Sequence, residues 1–262
     1  MKRLEELPET SNDRLADEKL VRKKTILSFT VFITAFVLLI AGWVWLRNQP
    51  SAKGKGTGIQ LPLRTVLNAN EKVFDKNFSN VHLAKTYPLS AAVKKVRVNG
   101  NVGMGKDFDA TSWNLQVVKA TGDTMNITLD DIKKLPKTEI VFDFKCIEGW
   151  SQVTHWGGVR FRDFIASYNL KAEASMNYIG MNTPDGAYYV GIDMLSALHP
   201  QTLLCYEMNG KPLPDNQGYP LRMIIPVKYG IKSLKRIGTL FFSEQRPPDY
   251  WFERGYDYYS GL

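Results

Sequence analysis

The sequence predicts a single strand-rich α+β domain preceded by one transmembrane helix. Three observations carry that prediction. Short β-branched and aromatic runs recur between turn signals such as Asn99-Gly100, Pro184-Asp185-Gly186 and Asn209-Gly210. Helical spacing is confined to brief stretches that do not alternate regularly with the strands, which argues against a doubly wound parallel sheet. Lys24 and Arg47 bracket a run with no charge over residues 25–46, roughly 33 Å long at a helical rise, enough to cross a bilayer core.

The elements follow in order. Residues 1–24 are polar with mixed charges and are expected to be poorly ordered. Residues 25–46 form the membrane anchor, ending in Trp43 and Trp45, which suit a membrane–water interface. The run is longer than the apolar region of a cleaved signal peptide; the alternative is cleavage near Ala41-Gly42, a poor small-residue site. Arg14, Lys19, Arg22, Lys23 and Lys24 on one flank outweigh Arg47, Lys53 and Lys55 on the other, so residues 1–24 are expected in the cytoplasm and the large domain outside. Residues 47–61, rich in Gly, Lys and Ser, read as a linker. Residues 62–262 suffice for one sizeable domain.

Within that domain, 93–98 reads as a strand closed by Asn99-Gly100, and 115–120 as a strand stopped by Thr121-Gly122-Asp123. Strand 126–129 leads into a short helix over 130–135, halted by Pro136. Strand 139–144 delivers Cys146. Residues 159–168 have helical spacing. Strands over 177–181 and 187–192 flank the Pro-Asp-Gly turn, a short helix covers 193–198, and further strands cover 203–208, 221–226 and 239–243.

Absences narrow the chemistry. The chain has no phosphate loop, no dinucleotide fingerprint, no G-x-S-x-G elbow and no C-x-x-C pair, and its three histidines show no zinc spacing. The formal charge of +8 arises largely beside the membrane segment, and no basic stretch interleaved with aromatics suggests nucleic acid. Of two cysteines, Cys205 sits in the apolar run Leu203-Leu204-Cys205-Tyr206 and reads as a structural thiol. Cys146 stands at a strand end before a Gly-Trp break, placed to point a soft sulfur donor into a cavity. A disulfide between the two would consume that donor.

Three ordered segments carry a resemblance: C-I-E-G-W-S-Q-V-T-H-W-G-G-V from Cys146, T-L-L-C-Y-E-M-N-G-K-P-L from Thr202, and N-Q-G-Y-P-L-R-M-I-I-P-V-K-Y-G-I-K-S-L-K from Asn216, followed by Arg246-Pro247-Pro248 and Gly255-Tyr256. Residues 62–262 resemble the sulfite-oxidase-like molybdopterin-dependent oxidoreductases, most of all the catalytic subunits of periplasmic protein-methionine-sulfoxide reductase systems. The resemblance implies that family's molybdopterin-binding fold and a molybdenum-molybdopterin cofactor. Cys146 matches the family's molybdenum ligand. Thr183 matches a pterin threonine, Arg222 the arginine of G-x-P-x-R, and Ser233, Leu234 and Lys235 a pterin-binding stretch. Gln217 stands where relatives carry Asn or His, and Asn70 or Asn77 are candidates for the first pterin contact.

Arg222, Lys232, Lys235 and Arg236 cluster in sequence, a plausible cradle for a pterin phosphate as well as a plain solvated basic face. His155, which follows the cysteine loop, and Tyr229 are candidates to face substrate as proton donors, with Lys228 and Glu148 as further pocket candidates and Trp150 and Trp156 as pocket wall. The implied reaction is two-electron oxygen-atom transfer, most simply reduction of a small sulfoxide; sulfite-type oxidation and a metal-free anchored binding domain are the alternatives. The chain contains no haem motif or iron–sulfur cysteine set, so electrons are expected from a partner, and the resemblance together with the anchor implies a membrane haem b protein. Without the family's C-terminal dimerisation domain, a monomer is expected. Export of a folded, cofactor-loaded domain normally uses a twin-arginine signal, and the flank here reads Arg22-Lys23-Lys24.

Overall fold

The computed structural model describes residues 11–52, 58–79, 81–105 and 108–261, and these form two compact units. The first contains α1 (Ser11–Arg47). The polar tail is not irregular throughout: Glu18 and Arg22, four residues apart among good helix formers, extend the helix back to Ser11. Residues 1–10 lie outside the described residues. Apolar side chains such as Phe32 (65% exposed) and Leu39 (72%) cover the surface of α1, which is long and apolar enough to cross a membrane. Past Arg47 the chain turns, Ser51 forms an antiparallel bridge with Gln60, and Leu61 N donates to Pro50 O at 2.9 Å.

A helix the sequence did not announce follows, α2 (Leu61–Asn77), whose residues from Leu63 onward belong to the second unit. Pro62 suits a helix start, where its missing N–H costs nothing. The helix presents Arg64, Leu67 and Glu71 inward, a mixed stripe with no plain apolar period.

The second unit then builds two sheets. Its elements are β1 (Leu115–Val118), β2 (Thr124–Ile127), α3 (Leu129–Lys133), β3 (Lys137–Lys145), β4 (Ser151–Arg160), α4 (Phe161–Ser167), β5 (Tyr178–Asn182), β6 (Tyr189–Asp193), α5 (Met194–Ala197), β7 (Leu203–Met208), β8 (Lys211–Pro212), β9 (Arg222–Ile224) and β10 (Thr239–Ser243). One sheet has the order β2-β1-β10-β5-β6, with β1 and β10 parallel and the rest antiparallel. The other runs β3-β4-β7-β8 and is antiparallel, with β9 also paired to β7. Local chemistry explains the short helices: Thr128 and Asp131 form a reciprocal capping box on α3, and Asp193 caps α5 through Ser196 N.

The main core joins both sheets to α4 through Leu115, Val117, Ile179, Met181, Leu204 and Phe164. A smaller cluster of Ile140, Phe142, Trp156, Cys205 and Val96 covers the other side of the β3–β4–β7 sheet and borders the pocket described below.

Two expectations are corrected. Residues 93–98 are not a strand: after a single backbone bond from Val93 N to Val153 O of β4, the segment is held by side chains, with Arg97 N donating to the Gln152 side chain and Val93 O accepting from Asn209 Nδ2. The long strand β4 was hidden by Gly157 and Gly158, which weaken any strand signal. Gly158 is required there, since a Cβ would lie 2.1 Å from Leu204 O, and the β4–β7 register shifts between these glycines. The helical stretch expected over 159–168 correspondingly shrinks to α4.

Candidate functional site

Strand β3 ends at Lys145 and the chain folds into a tight turn that leads to β4. Cys146 N donates to Trp150 O, Gly149 N donates to Cys146 O, and Gly149 adopts φ +86°, a conformation open to glycine. The turn buries the Cys146 thiol (6% exposed) at the wall of a pocket, with Asn99 Nδ2 3.5 Å from its sulfur. Cys146 and Cys205 are both free and buried, and burial pushes the Cys205 thiol far up.

The same pocket is lined by Gln217, Arg222, Ser233 and Lys235. Arg222 leaves β9 and stacks over Trp156, 4.7 Å from the ring centroid. One of its terminal nitrogens donates to Gln217 O (2.9 Å) and Oε1 (3.0 Å), the other to Ser233 O (3.3 Å). Its Nε is buried with no partner, and burial pushes the guanidinium down to about 10. Gln217 in turn donates to Arg97 O at 3.2 Å, tying the arginine to the segment bearing Asn99. Lys235 Nζ donates to Asn99 O (2.7 Å) and Gly100 O (3.1 Å); burial, and then Arg222, push it down to about 8.

Electrostatics separate the four cations clustered in the sequence. Lys232 is neutralised by Asp249 at 2.6 Å and Arg236 by Asp215, so both serve the fold. Among the described residues, Arg222 and Lys235 have no carboxylate partner, and the only carboxylate lining the pocket is Glu148. A hydrogen bond from Asn99, then one from Trp150, hold that exposed carboxyl below its usual range. One buried and one half-buried cation, neither paired with a described carboxylate and the buried one with an unpartnered N–H, beside a buried soft donor are chemically suited to an anionic, metal-bearing ligand.

The remaining candidates do not line this pocket. Thr183 is buried under Gly103, where a Cβ would come within 2.5 Å of its methyl, and its hydroxyl donates to Asp185. Leu234 lies wholly in the main core. His155 lies 3.3 Å from Glu139 and does not line the pocket, whereas its neighbour Trp156 does. Tyr229 precedes the turn Gly230–Lys232, whose Gly230 and Ile231 line the pocket in its place. Asn70 and Asn77 are exposed on α2, and Lys228 pairs with Asp193 at 2.7 Å.

Sequence reasoning missed Asn99, Arg97, Tyr188, Trp251 and Tyr256, all of which line the pocket. Asn99-Gly100 does turn, with Gly100 at φ +70°, but the turn signal concealed an asparagine beside the thiol. The aromatic run around Trp251 and Tyr256 was the available sign of the far wall.

A family model described as the oxidoreductase molybdopterin binding domain matches residues 102–251. A protein from Azospira oryzae provisionally named protein-methionine-sulfoxide reductase subunit YedZ1 is 35% identical over 72% of this chain and 70% of its own. The protein-methionine-sulfoxide reductase catalytic subunit MsrP of Campylobacter jejuni is 29% identical over 57% of this chain; the match spans only 55% of that relative. The crystal structure of the sulfane dehydrogenase SoxCD from Paracoccus pantotrophus aligns with 64% of this chain and 46% of its own, at TM-score 0.49 and 15% identity.

Proposed function

We propose that this chain, which belongs to the oxidoreductase molybdopterin-binding domain family, is a membrane-anchored enzyme that reduces a small sulfoxide-type substrate by two-electron oxygen-atom transfer. The observation that carries the reading is a pair of cations, buried Arg222 and half-buried Lys235, with no carboxylate partner among the described residues and standing in one pocket with the Cys146 thiol. The proposed cofactor is molybdenum-molybdopterin. When bound, it supplies a two-electron couple able to take oxygen from the substrate, with water as the by-product.

The chain's own residues supply the rest. Cys146 offers sulfur to the metal, Asn99 orients that sulfur, and Arg222 and Lys235 hold the anionic end of the pterin with Ser233 beside them. Trp150, Trp156, Trp251 and Tyr256 narrow the water-accessible space. Apart from Arg222 and Lys235, the described lining residues include one cation, Arg97, and one carboxylate, Glu148, a balance that favours a neutral substrate over the sulfite dianion.

With two cysteines in the whole chain, a four-cysteine iron–sulfur site is out of reach, so electrons come from a partner. The proposed partner is a haem b protein in the same membrane, with α1 as the anchor and the catalytic domain on the periplasmic side. The test is to make the full chain in a molybdopterin-competent host and measure molybdenum and pterin. Near-stoichiometric metal that vanishes in Cys146→Ser supports the reading; a metal-free wild type sinks it. Turnover of sulfoxides with a reduced dye, against oxidation of sulfite, then decides the reaction.

A further inference from the structure

We infer that Arg64 of α2 is a positioning residue that holds one wall of the pocket, an inference that rests on the pocket being the cofactor and substrate site. The wall is the segment from Trp251 to Tyr256. Trp251 and Tyr256 line the pocket, with their rings edge to face at 5.1 Å. The segment is a tight turn built around Phe252–Arg254. Trp251 N and Phe252 N donate to Asp249 Oδ1, Gly255 closes the turn at φ +100°, and Tyr256 N donates back to Trp251 O.

Within the turn, the carbonyl of Tyr256 has no backbone donor among the described residues, and that of Phe252 receives one from Gly255 N. Arg64 reaches both. One terminal nitrogen donates to Tyr256 O at 2.8 Å, the other to Phe252 O at 2.9 Å, and its guanidinium lies 4.1 Å from the Phe252 ring centroid. Arg64 itself is 7% exposed. A planar fork meeting two carbonyls and an aromatic face fixes the turn in position as well as in shape.

Two further contacts fasten α2 to the same region: Glu71 pairs with Arg246, and Phe74 stacks on Tyr259. Neither reaches the carbonyls of the wall. Arg64 therefore acts through Trp251 and Tyr256, and without touching substrate it sets the width of the pocket on that side. The helix that follows the membrane-length segment is a working part of the site.

The experiment compares full-length wild type, Arg64→Ala, Arg64→Lys and Phe74→Ala. Amide exchange is followed by mass spectrometry in both cofactor-free and cofactor-loaded protein. Steady-state kinetics use free methionine sulfoxide with a reduced viologen donor. Arg64→Ala is expected to speed exchange at 251–256 by about tenfold while the strands stay protected. KM should rise about threefold to tenfold, with kcat and molybdenum content within about twofold of wild type. Arg64→Lys, which keeps one of the two bonds, should fall between, and Phe74→Ala should leave KM unchanged. Unchanged exchange at 251–256, exchange raised uniformly across the domain, or faster exchange with an unchanged KM each overturns the inference. If wild type turns over no sulfoxide, the proposed reaction fails, and the exchange data still decide whether Arg64 holds the wall.

Discussion

Replacing Lys235 by methionine should stabilise the cofactor-free protein while destroying its capacity for cofactor. An ordinary lysine titrates at 10.5, and burial pushes Lys235 down to about 8. Below pH 8 the side chain is charged in the folded and unfolded chains alike, so the folded state carries the whole cost of burying it. Between about 8 and 10.5 the folded chain sheds the proton first, the cost drains away, and stability rises with pH. At 1.36 kcal/mol per pH unit the cost is roughly 3 kcal/mol at most. The carbonyls of Asn99 and Gly100 offset part of it, and methionine forfeits both bonds, about 1 kcal/mol in all for exposed carbonyls that water can reach. The expected gain at pH 6.5 is therefore about 1–2 kcal/mol, or roughly 0.5–1 M in urea midpoint. It should shrink to nothing near pH 10.5. Urea unfolding of the full-length cofactor-free protein in detergent, followed by tryptophan fluorescence across this pH range, measures it. A Lys235→Met protein that is no more stable at pH 6.5, or a gain that ignores pH, would refute the argument that this cation awaits an anion. The same variant made in a cofactor-competent host should lose at least about tenfold in pterin content.

Other outcomes are expected from the same geometry. Iodoacetamide should modify Cys146 in the native cofactor-free protein at least about tenfold faster than Cys205, which is wholly buried with its thiol pushed far up; peptide mapping reads the ratio. Gly158→Ala should cost about 3 kcal/mol or more, because its Cβ would meet the backbone of β7 with no side chain able to yield; a loss under about 1 kcal/mol in denaturant unfolding would contradict the close approach. Thr128→Ala removes the capping box of α3 and should cost about 1 kcal/mol by the same measurement.

What could be read from the sequence divides by the kind of signal. Strand ends marked by turn residues were legible, and Cys146, Gln217, Arg222, Ser233 and Lys235, which the fold brings to one pocket, stood out because each lies in a compact motif. Strand β4 was not, since the glycine that lets β7 approach also erases the strand's apolar period. Helix α2 was not, because its inward face is held by a guanidinium and a carboxylate. Asn70 and Asn77 were chosen for proximity to the domain start, yet the asparagine at the thiol is Asn99, whose position depends on Lys235 gripping its carbonyl. His155 and Trp156 are adjacent in sequence, and only the tryptophan lines the pocket: the alternation of a strand, once its register is known, separates them.

The lining of the pocket comes from distant stretches of the chain, Val96 to Gly100 and Trp251 to Tyr256 among them. A growing polypeptide emerges in order, so no partial chain can close around a ligand that touches both. Strands β1 and β10, parallel neighbours drawn from the two ends of the domain, impose the same delay on the sheet itself. A ligand held by both stretches would thus be captured late, after synthesis, because a chain released before Trp251 would present the thiol and the arginine with nothing yet to close over them.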